Sequence, residues 1–148
     1  MTELAIAWLI WVAFNLTVML TAPSFAQPFF GAYTNGVQVV VPTWVRDSLT
    51  QDELKAVIAH ELGHIARRHA WWNVGLACLF LFVCMSEERR RTQEFEADDY
   101  AASLGYGLAL ASALRKLSTY HFDRQRAERL EVGEKAVPLA PYREQGLR

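Results

Sequence analysis

The chain has 148 residues, of which 52% are hydrophobic, a formal charge of −1 at pH 7 and two cysteines. That length suits one compact domain plus an appendage, and the near-zero charge leaves no basic footprint for nucleic acid. Cys78 and Cys84 lie inside an apolar run and read as buried small hydrophobes, not as a disulfide or metal ligands.

Leu4 to Leu20 is apolar except for Asn15 and Thr17, and Thr21 to Gln27, with Pro23, is expected to end it. Seventeen helical residues span ~25 Å, the lower limit for a bilayer crossing. A cleaved signal peptide competes with a retained anchor, because Ser24-Phe25-Ala26 has the small-x-small form of a cleavage site. Met1-Thr2-Glu3 lacks the positive start of such peptides, which favours the anchor. A helix of a soluble core is the third reading. All the basic residues follow the segment, so the positive-inside rule places the remainder in the cytoplasm. Residues 1–22 are thus expected to form a membrane-anchor helix or signal segment, 23–131 the working domain, and 132–148 a flexible polar tail. Gly36 to Val41 is rich in β-branched residues and reads as a strand closed by Pro42. It either pairs within its own sheet or offers an open edge to an extended peptide.

Thr50-Gln51-Asp52-Glu53 is a capping box, and Leu54, Val57, Ile58, Leu62 and Ile65 follow at helical spacing. Inside this helix lies His60-Glu61-Leu62-Gly63-His64. Two histidines four apart share one helix face and can grip one ion from the same side. Glu61 is then placed to act as general base on a water at the ion's open position, the arrangement of zinc-assisted hydrolysis. Gly63, small and facing inward, suits close backbone packing.

A catalytic zinc takes three protein ligands. The best third candidate is Glu94, in the helical stretch Glu94-Phe95-Glu96-Ala97-Asp98. Asp98 shares its face and can accept a ring N–H from one histidine, which fixes the tautomer. Between His64 and Glu94 lies a second apolar run, Ala70 to Met85, with Trp71 and Trp72 suited to a membrane interface. If that run crossed a bilayer once, the ligands would stand ~30 Å apart in opposite compartments. An apolar helical hairpin that turns near residues 74–79, with Asn73 and Gly75 as turn signals, dips into the membrane without crossing it. It also returns Glu94 to the histidines.

These motifs resemble peptidase family M48, the gluzincin metallopeptidases. Leu49 to Leu54 leading into Ala59 to Ile65 is similar to the family's active-site helix, and Glu94 to Asp98 resembles its Glu-x-x-x-Asp helix. Ser118 to His121, followed by Arg126 to Leu130, resembles the Thr-His-Pro segment and downstream arginine of many members, with Phe122 in place of the proline. Arg67-Arg68-His69 with Trp72-Asn73 is similar to family M56, and the short interval from His64 to Glu94 to family M78. The resemblance implies a mainly α fold with a small β-sheet (α+β): a compact zincin-like core, an N-terminal apolar helix and an apolar hairpin. It implies one Zn2+ held by His60, His64 and Glu94, and a protein or peptide substrate cleaved at a membrane. His121 is a candidate donor to the oxyanion, beside Tyr100 and Tyr106. The alternative is a noncatalytic regulatory or interaction module that keeps a zinc-binding metallopeptidase core.

Overall fold

The computed structural model describes residues 2–26, 31–80, 86–118 and 120–136. Cys84 and residues 137–148 of the expected tail lie outside them. In chain order the elements are α1 (Thr2–Ala26), β1 (Tyr33–Thr34), β2 (Val39–Val40), α2 (Thr43–Ser48), α3 (Gln51–Ala66), α4 (His69–Cys78), α5 (Glu87–Ser103), α6 (Gly107–Leu117) and α7 (His121–Ala136). The fold is mainly α with one small antiparallel sheet, as the sequence implied.

The apolar stretch of α1 covers Thr2–Thr21, 20 residues with a mean hydropathy of 2.0, long and apolar enough to cross a bilayer. Its polar side chains bond back to its own carbonyls: Asn15 donates to Trp11, Thr17 to Ala13 and Thr21 to Thr17. Those three groups therefore do not depend on water for a partner. The helix was expected to end around Pro23, yet it continues to Ala26. Proline removes one amide donor without obliging a helix to stop.

The expected strand over 36–41 is shorter than its sequence suggested. Asn35 and Gly36 make a tight turn, with Gly36 at φ +87 and the Asn35 side chain accepting from the amides of Val37 and Gln38. Only Val39–Val40 pairs, with Tyr33↔Val40 and Thr34↔Val39 in register. Asn-Gly is a strong hairpin signal, and β1 in front of it carries too few apolar residues to be seen by pattern alone.

Helix α3 begins where expected: Thr50 accepts from the Glu53 amide while the Glu53 carboxylate accepts from the Thr50 amide. That carboxylate also takes bonds from Ser112 at 2.6 Å and Lys116 at 2.7 Å, tying the helix start to α6. The core lies among α3, α5, α6 and α7 and is built from small side chains: Ala56, Ala59, Ala101, Ala111, Ala113 and Ala127, with Val57, Leu110 and Leu130. Alanine at these positions lets helix axes approach closely.

Helix α4 runs unbroken past Asn73 and Gly75 and ends at Cys78, so the chain leaves it at Leu79, the far end of the expected 74–79 turn, with Phe80 at φ 58. Asn73 and Gln93 exchange amide hydrogen bonds at 3.1 and 3.2 Å and tie α4 to α5. Trp8 and Trp11 of α1 donate to the carbonyls of Cys78 and Ala77 at the end of α4, where carbonyls run out of i+4 amide partners. Trp11 also stacks on Phe80.

Candidate metal centre

Gly63 decides how α3 meets α5. A Cβ placed there would lie 2.9 Å from Ala97 Cα and 3.1 Å from its carbonyl oxygen, so only glycine permits the contact. The approach sets the His60–His64 face of α3 against the Glu94–Asp98 face of α5. His60 Nε2 and His64 Nε2 are 3.1 Å apart. Glu94 lies 3.4 Å from the first through Oε2 and 3.7 Å from the second through Oε1. Donor atoms ~2.0–2.1 Å from one zinc at tetrahedral angles stand ~3.3 Å from each other, and the three side chains offer atoms within 4.8 Å of one another. Two imidazole nitrogens and a carboxylate oxygen also suit zinc in softness. The residues present therefore fit the ion.

Behind the rings, Asp98 has no exposed surface. Its carboxylate sits 3.0 Å from His60 Nδ1 and accepts two bonds from Arg126, at 2.7 and 2.9 Å. A proton on Nδ1 leaves the Nε2 lone pair facing His64 and Glu94. Arg126 also reaches Glu94 at 3.0 Å and Asp123 at 3.1 Å. Three carboxylates thus gather round one guanidinium, and the remaining negative charge favours a cation beside the rings.

The titration of the rings reflects that charge. Burial works against protonated His60, but the Asp98 and Glu94 carboxylates outweigh it and raise the ring to about 9. His64, buried and next to positive His60, falls to about 4. Burial also resists charge on Glu94 and Asp98, yet bonds to His60 and Arg126 hold both below the usual carboxylate range. Burial pushes Glu61 up to about 7. With His64 and Glu94 it lines a cleft of about 350 Å³, whose other walls include Tyr33 and Thr34 of β1 and Asn73 of α4. The strand beside the cleft is therefore β1, while Val39–Val40 pairs within the sheet.

His121 is the exposed first residue of α7, and Arg126 of the same helix is the one that reaches the cluster. Tyr100 lies against Gly63, and Tyr106 packs on the alanine core. None of these three is among the described residues lining the cleft.

Sequence reasoning missed one partner of His64, and the carboxylate behind that partner. His64 Nδ1 is 2.8 Å from Nδ1 of buried His69, whose Nε2 is 2.8 Å from Glu96. In an unbroken helix a residue five positions on lies ~140° round the axis from the first. Here α3 stops at Ala66 and Arg68 adopts the left-handed conformation, φ 57, which turns His69 back towards His64. A non-glycine residue gives no sequence signal for that turn.

The model of peptidase family M48 matches residues 14–87. "Protease HtpX homolog 1" of Sulfolobus acidocaldarius is 48% identical over 48 residues, which cover 32% of this chain and 15% of that protein. The match thus spans well under two thirds of that relative's length. No solved structure matches.

Proposed function

The chain belongs to peptidase family M48, and from that premise we propose that it is a zinc-dependent endopeptidase acting on protein or peptide substrates at a membrane. His60, His64 and Glu94 would hold the ion, and the observation that carries the reading is the 3.1–3.7 Å spacing of their donor atoms. Zinc bound there would bring a water's pKa towards ~7 and polarise a peptide carbonyl. Glu61 would take the proton of the attacking water and deliver it to the leaving amine. Its burial at the cleft supports this, because a carboxylate raised towards neutrality can both accept and return a proton. Asp98 would keep His60 in the tautomer that presents Nε2, and Arg126 would hold Asp98 and Glu94 in place.

Membrane association is supported by the apolar surface of α1 and by the exposed Trp71, Trp72, Leu79 and Phe80 of the adjoining hairpin arm. The charged start of α5, Glu87 to Arg91, favours a hairpin resting at the interface over one that crosses. Working groups from both sides of the hairpin meet in one cleft, consistent with a single compartment.

Metal analysis and peptide turnover test the proposal on the full chain in detergent. One zinc per chain is expected, lost in His60→Ala and Glu94→Ala. Glu61→Gln should retain the metal and abolish hydrolysis. Stoichiometric zinc without turnover of unfolded proteins or peptide libraries would instead favour the noncatalytic module.

A further inference from the structure

Among the described buried titratable groups, His69 has no part in the mechanism above, although it touches a proposed ligand. It is 5% exposed and forms the middle of a chain, His64 Nδ1 to His69 Nδ1 and His69 Nε2 to Glu96 Oε2, with both contacts at 2.8 Å. The rings of His64 and His69 cross at 76° with centroids 4.9 Å apart, so the nitrogens meet edge to edge without stacking.

A neutral imidazole has one donor and one acceptor nitrogen. If His64 gives Nε2 to an ion, its proton must sit on Nδ1, and that N–H donates to His69 Nδ1. His69, accepting at Nδ1, then carries its own proton on Nε2 and donates it to the Glu96 carboxylate. Both contacts are satisfied by this one arrangement, and it ends on a carboxylate oxygen, which accepts. The other possible ligand tautomer, with His64 protonated on Nε2, would turn an N–H towards His60 and Glu94. The chain mirrors the other half of the site, where His60 Nδ1 is held by Asp98.

We propose that His69, oriented by Glu96, is a positioning residue that fixes the tautomer and ring orientation of His64 for metal binding. The left-handed backbone at Arg68, rarely adopted by a residue with a side chain, aims His69 at that ring. The proposal rests on the reading of His64 as a ligand. It goes further by giving His64 an orienting partner on a different element from the one that serves His60.

The test is zinc affinity of the full chain in detergent, measured by chelator competition on wild type, His69→Leu, His69→Gln and Glu96→Ala. Loss of a group that orients a metal-bound histidine weakens affinity by ~10–100-fold. His69→Leu should fall in that range and Glu96→Ala less far. His69→Gln should recover most of the loss, because its side-chain oxygen can accept from Nδ1–H; a purely space-filling role would predict no such rescue. In 15N-labelled zinc-loaded wild type, His64 should show a slowly exchanging Nδ1–H that disappears in His69→Leu. Zinc affinity that depends on His60, His64 and Glu94 but is unchanged in His69→Leu would overturn this proposal alone. Wild-type protein that binds no zinc would overturn the metallopeptidase reading with it.

Discussion

Replacing Gly63 by alanine sets two effects of opposite sign against each other. Alanine in a helix interior is favoured over glycine by about 1 kcal/mol, so at an open position the change would stabilise α3. At this position the new Cβ would meet Ala97 Cα at 2.9 Å, its carbonyl oxygen at 3.1 Å and Tyr100 Cβ at 3.1 Å. Two of those atoms are backbone and cannot rotate aside, so α5 must retreat by about 0.5 Å to reach ordinary contact. Overpacking of that kind costs about 1–3 kcal/mol, and after the helix gain the net loss should be about 0–2 kcal/mol, or up to ~6 °C in Tm for a chain of this size. The retreat also moves Glu94 and Asp98 from His60 and His64, at a site whose geometry needs holding within ~0.5 Å. Urea unfolding of the metal-free protein and chelator competition for zinc check the two consequences separately. A Gly63→Ala protein as stable as wild type, with the same zinc affinity, would refute the close helix contact as the basis of the site.

Arg126→Met should destabilise the metal-free protein by about 3–5 kcal/mol in urea unfolding, because fully buried Asp98 loses its only guanidinium partner among the described residues; a loss under 1 kcal/mol would contradict the ion-pair account. The Lys116 ammonium and the Ser112 hydroxyl hold Glu53 down at about 2 against an ordinary 4.5. A depressed carboxylate stabilises the fold above pH 4.5 and loses that contribution as pH falls towards 2. Acid titration monitored by circular dichroism should therefore show Glu53→Gln less stable than wild type at pH 7, with the gap closing between pH 4.5 and 2. In single-tryptophan variants reconstituted with brominated lipid, emission from Trp71 or Trp72 should be quenched; emission from neither being quenched would place the α4 arm away from the bilayer.

The positions of the paired groups on their helices were legible in the sequence. Period 3.6 is fixed by backbone geometry, so His60 with His64, and Glu94 with Asp98, had to share faces once their stretches were helical. The capping box placed the start of α3 at Thr50, and it is observed there. That the chain must double back followed from a distance argument, since one ion cannot be held from both sides of a membrane; α4 ends at Cys78, late in the expected 74–79 turn, because Asn73 and Gly75 stay within the helix. Strand β1 escaped notice because two paired residues carry no period.

Local pattern by itself determined the element types, the face of each proposed ligand and the need for the chain to double back. Tertiary structure decided which faces met: Gly63 against Ala97 brings four side chains together, and of the two α7 residues that the resemblance singled out, Arg126 reaches them while His121 stays exposed. It also decided that His69 reaches His64, through a left-handed residue that no periodicity anticipates. Short-range patterns record what the backbone of one segment can adopt, whereas contacts between segments depend on volumes and charges that complement each other only after the chain has closed.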